Sequence, residues 1–132
     1  MRVRVIVGAA LIIGLFGVGT FTSRAGDAAG LRQWTIVNFP DPVQVKGELV
    51  MGPVLIVHDS EKMARGEACT TFYRFTPGTG PQEALVSFHC QPVQRAAVAQ
   101  TTLSVVDSPT GCKRLTQYQV AGETEAHGIP SK

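Results

Sequence analysis

The chain lacks the common marks of catalysis. No Gly-x-Ser-x-Gly stretch occurs, and Ser87 and Ser104 fall inside β-type runs rather than on an exposed elbow. That removes the usual serine nucleophile. Walker and Gly-x-Gly-x-x-Gly loops are absent, so no phosphate cradle is expected. The cysteines have no C-x-x-C spacing and the histidines no H-x-x-x-H spacing, which leaves zinc without sequence support. On this reading the chain is not an enzyme: it has no catalytic residue and no cofactor.

Charge of one sign is also scarce. The formal charge is +2, but Arg2, Arg4 and Arg24 lie in the first 25 residues. The remainder has 12 − 3 = 9 Lys+Arg against 10 Asp+Glu, a formal charge of −1. With no run of Lys or Arg, nucleic acid is not an expected partner. Polybasic docking on a membrane is disfavoured for the same reason.

The one long apolar run is at the start. MRVR is followed by 19 uncharged residues, Val5 to Ser23, and then by the small-x-small stretch Ser23-Arg24-Ala25. This is the layout of a signal peptide over residues 1–25, cleaved after Ala25, which makes the protein secreted or periplasmic. The rival is an uncleaved anchor, because a bilayer needs ~20 apolar residues. Membrane contact is expected only if the leader stays. No cysteine follows the run, which argues against a lipid anchor of the bacterial kind.

Residues 26–32 then read as a flexible linker, 33–120 as a β-sandwich domain and 121–132 as a loose polar tail, or at most one more edge strand. Short β-branched and aromatic runs cover 33–39, 43–50, 54–59, 69–75, 83–90, 97–106 and 113–120. PDP, MGP, TPGTGPQ and DSPTG separate most of them as turn formers. Only residues 60–67 resemble a helical turn, with Ser60 as cap. Seven strands at this spacing predict an all-β fold, a single antiparallel β-sandwich or small barrel.

Cys69 and Cys90 flank the hairpin of residues 69–90. With the loop at TPGTGPQ, Phe75 faces Ala84, Tyr73 faces Val86, Thr71 faces Phe88 and Cys69 faces Cys90, and the face they share is the more apolar one. An oxidising compartment then predicts a Cys69–Cys90 disulfide. Closing this loop would contribute about 3 kcal/mol on the loop-entropy model. Cys112 is left as a free thiol, an intermolecular bridge or the alternative partner of Cys90.

Metal chemistry is the main rival. His58, His89, His127, the three cysteines and Met63 are the available ligands. A blue-copper site would draw three of its ligands from one short loop near the C-terminus, whereas Cys112 stands 15 residues before His127 and no Met follows either. His58, His89, Cys90 and His127 form the alternative set for a metal-binding or redox protein. Glu123, Glu125 and His127 alternate and would share one side of an extended chain, within reach of a divalent cation. His58 and Asp59, followed by Glu61, would serve a hydrolase if a third polar group converged on them. The tail and the strand exit are the plainer readings.

The segment TIVNFPDPVQVKGELVMGPVLIV, residues 35–57, resembles the opening of a group of small secreted bacterial β-domain proteins. Their first strands read V-x-F-x-x-P-V-x-V-x-G-x-x-L-x-x-G-x-Y-x-F, matched here by Val37, Phe39, Pro42 or Val43, Val45, Gly47, Val50 and Gly52. Pro53 and Val54 depart from the Thr-Tyr usual there. The resemblance implies a leader and a small β domain, and no activity.

The sequence therefore favours a binding or structural module with an unidentified protein or small-molecule partner, reached through edge strands such as residues 113–120. Trp34 is expected in the core and Tyr118 among the contact aromatics.

Overall fold

A computed structural model describes residues 32–131. The expected leader, and all of the linker but Arg32, lie outside the described residues. Eight strands and one short helix follow in chain order: β1 (Arg32–Val45), β2 (Glu48–Asp59), α1 (Ser60–Ala64), β3 (Thr70–Thr76), β4 (Gly80–Phe88), β5 (Gln91–Gln94), β6 (Thr102–Asp107), β7 (Lys113–Gln119) and β8 (Glu125–Gly128). The fold is all-β, as the run lengths predict. No helix among the described residues is long and apolar enough to cross a membrane.

All eight strands belong to one sheet, with the path β4-β3-β2-β1-β7-β8-β5 and β6 paired to β7. The path stays open, so the barrel alternative is not met. Every pairing is antiparallel except a short parallel contact between β1 and β7 at Val43–Lys113 and Gln44–Arg114. One edge of β7 is taken by β6, and the other is shared, β1 holding its start and β8 its end. Side chains of β2 and β3 nevertheless meet those of β7 and β8, which are not their hydrogen-bonded neighbours. Thr70 Oγ1 is 2.7 Å from Tyr118 Oη, and the His58 and His127 rings are 4.1 Å apart.

The strand boundaries differ from the sequence reading where local chemistry was misjudged. Residues 43–50 are not one strand: Lys46 and Gly47, at φ 49° and 87°, make the two-residue turn joining β1 to β2. Two successive positive φ values match the right-handed twist of a hairpin. PDP and MGP, expected to be turns, lie inside β1 and β2. The register shifts between Phe39 and Val43, and this irregularity accommodates Pro40 and Pro42. The α1 cap is Asp59, not Ser60: its Oδ1 accepts from the backbone N–H groups of Glu61 and Lys62. The tail is neither loose nor an edge, since β8 lies between β7 and β5.

The core is built from Val50, Val54 and Ile56 of β2, Phe72 of β3 and Leu115 and Tyr118 of β7, the last two brought to one side by a register shift opposite β6. Each fully buried aliphatic or phenyl side chain contributes about 1.5–3 kcal/mol. Trp34 is 63% exposed and Tyr118 fully buried, so the two aromatics exchange the places expected of them.

Candidate functional site

The two-residue period of β2 carries Val54, Ile56 and then His58 inward, so a histidine occupies the last core position of an otherwise apolar strand. Across the core, His127 of β8 is paired with Tyr118 of β7. The two rings stack at 4.9 Å, with 28° between their planes. His58 is 1% exposed and His127 fully buried.

Two thiols complete the cluster. The β3–β4 register is not the expected one: Thr70 pairs with Phe88, Phe72 with Val86 and Tyr73 with Ala84, with irregularities at both ends of Tyr73. The core face of β3 is therefore Thr70 and Phe72 rather than Thr71 and Tyr73. Cys69 and Cys90 meet all the same, because each lies just beyond the paired segment. The Cys69 N–H donates to the Phe88 carbonyl at 3.0 Å, and the Cys90 N–H lies 3.3 Å from Cys69 Sγ. Their sulfurs are 3.1 Å apart and not bonded, so the expected disulfide is not formed here; both are free, buried thiols.

The four groups form one constellation. Cys90 Sγ is 3.4 Å from His127 Nδ1 and 3.8 Å from Met63 Sδ, which α1 places over the cluster. The ligating atoms of His58, Cys69 and Cys90 all lie within 4.8 Å of one another. His58 Nδ1 is 3.0 Å from Gln33 Oε1. The Nε2 atoms of both histidines are buried and have no hydrogen-bond partner among the described residues. Buried polar atoms are nearly always paired, so two orphans on rings 4.1 Å apart single out this cluster.

Burial favours the neutral forms of His58, His127 and Cys90. Burial lowers the pKa of His58 against the raising effect of Asp59. Burial, with the neighbouring His58, brings that of His127 down to about 4. The Cys90 thiol is pushed up to about 12, first by burial and then by Cys69. Both imidazoles are neutral and the Cys90 thiol is protonated. Their chemistry is that of soft donors rather than of a poised acid–base pair or an activated thiolate.

Three expected candidates separate from the cluster. His89 is exposed and outside it. Asp59 is occupied by the α1 cap and by Arg32, whose Nε is 3.2 Å away. Glu125 reaches His127 Nδ1 only at 3.9 Å, and Glu123 binds Gln33 instead, so the alternating cation site does not form. Cys112 is a half-buried free thiol whose carbonyl accepts from Ser108 Oγ. Gln33 is the residue that the sequence reading passes over; Glu123 and Met63 are named there without it. The inward parity of His58 after Val54 and Ile56 was the signal available for the site itself. Compared with protein-family models, curated proteins and solved structures, the chain matches none.

Proposed function

We propose that this chain is an exported β-sandwich domain that binds a cuprous ion between Cys69, Cys90 and His58, with either His127 or Met63 as the fourth donor. The observation that carries the reading is the pair of unpartnered, buried imidazole Nε2 atoms beside two free thiols. Thiolate and thioether donors favour Cu(I), each ligating thiol losing its proton to solvent as the ion binds, and imidazole accepts it as well. Zinc would use the thiols and rings but has no use for Met63. The sandwich is supported by the way β2 and β3 pack against β7 and β8, and export by the leader-like residues 1–25.

Fit requires a small movement. A tetrahedral ion with ~2.3 Å bonds to sulfur holds two sulfurs roughly 3.7 Å apart, so the thiols, at 3.1 Å, would part slightly. A disulfide requires the opposite, closure to ~2.05 Å. That second reading, a structural staple formed in the export compartment, rests on the same proximity.

Anaerobic titration of the reduced protein with Cu(I) against a chromophoric chelator separates the two. One ion per chain, with affinity lowered at least tenfold by Cys69→Ser and by His58→Gln, is the expected result. No uptake, preference for Zn(II), or a Cys69–Cys90 disulfide in secreted protein that resists glutathione would overturn the cuprous site.

A further inference from the structure

Resting on that reading and deepening it, we propose that Gln33 and Glu123 are positioning residues that preset the tautomer of His58, so that its Nε2 lone pair is the one offered to the ion. Three hydrogen-bonding facts, taken in order, lead there. Gln33 Nε2 donates to Glu123 Oε1 at 2.7 Å. An ionised carboxylate only accepts, so the NH2 end of the amide must be the end that faces Glu123. That leaves Gln33 Oε1 toward His58 Nδ1, at 3.0 Å. An amide oxygen also only accepts, so Nδ1 must carry the hydrogen. A neutral imidazole has one N–H, and Nε2 is therefore left with its lone pair.

The parts come from distant segments. Gln33 is the register partner of His58 across the β1–β2 ladder, so the strand pairing itself brings the amide to the ring. Glu123 lies just before β8, 90 residues from Gln33, and burial raises its pKa while the bond from Gln33 opposes the rise. His127 has no such anchor. Its Nδ1 faces Cys90 Sγ at 3.4 Å, a group able to donate or accept, so nothing on that side chooses its tautomer. The asymmetry makes His58 the fixed nitrogen ligand and His127 the adjustable one. Partners outside the ligand shell that orient a metal-binding histidine typically affect metal affinity 10–100-fold.

The test pairs imidazole 15N NMR on the reduced, metal-free protein with Cu(I) competition on the same full chain. Wild type should show His58 as Nδ1–H. Gln33→Leu should admit the other tautomer and weaken Cu(I) binding about 10–100-fold. The double variant Gln33→Glu/Glu123→Gln exchanges the two side chains yet keeps an acceptor against Nδ1 and a hydrogen bond between positions 33 and 123. It should restore both the tautomer and the affinity to within a few-fold of wild type, which a merely space-filling role would not require. Should Gln33→Leu fail to fold, this exchange variant decides alone. Nε2–H in wild type, unchanged affinity in Gln33→Leu, or an exchange variant that folds but loses the tautomer would overturn the positioning role while leaving the cuprous site standing. Absence of Cu(I) uptake by wild type overturns the site itself, and the NMR readout still reports the tautomer independently.

Discussion

Burial of His127 costs the fold stability as the pH falls. Fully buried, it stays neutral until about pH 4, whereas an exposed imidazole takes up its proton near 6.5. As pH falls below 6.5 the unfolded chain binds a proton that the folded chain refuses, so stability is complete above that value and is lost progressively toward 4. His58 shifts in the same direction and deepens the loss. Urea midpoints measured across this window should fall steadily with acidification; a flat profile would show that the rings gain partners or solvent on folding. Single residues were also where the sequence misled most. QWTIVNF has apolar side chains on both faces, and nothing in its composition says that Trp34 and Ile36 point outward while Phe39 points in. Tyr118 looked like a surface aromatic because its neighbours are polar. Its hydroxyl is instead satisfied inside the core by Thr70, which allows a tyrosine to be fully buried.

At the level of elements, strand existence was legible and strand register was not. Runs of β-branched residues between turn formers identified most strands, because a pleated, half-buried surface selects those residues. Register depends on where irregularities fall. Those around Tyr73 shift the β3–β4 pairing by one residue and more, and reverse which face of β3 is inward. Cys69 and Cys90 were matched for the wrong reason, since they meet beyond the ladder rather than across it. The Lys46-Gly47 turn was hidden because lysine is an unusual residue for a positive φ. Gly47 is in open space, where an added Cβ meets nothing within 4 Å, so only its backbone conformation resists substitution. Gly47→Val should therefore cost about 1–2 kcal/mol in urea unfolding and leave the Cys69–Cys90–His127 geometry unchanged. A larger loss, or a loss of ordered imidazole signals, would show that the turn sets the register of the site.

For the whole molecule, the cluster lies where two groups of strands meet. β1 to β4 form one and β5 to β8 the other, joined by strand pairing only through the short β1–β7 contact. The chain itself crosses between them at His89 and Cys90. His58 and Cys69 belong to the first group and His127 to the second. An ion held by both would tie them together, and its binding energy would appear as folding stability. With free Cu(I) at 100 times its Kd, unfolding should become about 2.7 kcal/mol more costly. Thermal unfolding with and without Cu(I) measures this directly. An unchanged midpoint despite uptake would place the ion on one group alone. This meeting of strands from the two ends of the chain was the part of the site that sequence spacing could not reveal, because His58 and His127 are 69 residues apart.

The exposure of Trp34 has a practical outcome for optical work. It is the one tryptophan of the chain, standing on the outer surface of β1, beside the equally outward Ile36. Its emission in the native state will already resemble that of indole in water, so intrinsic fluorescence will register core unfolding poorly. The same placement makes the indole a sensitive reporter of anything that settles on that outer surface, while the near-ultraviolet circular dichroism of Tyr118, stacked on His127, watches the interior.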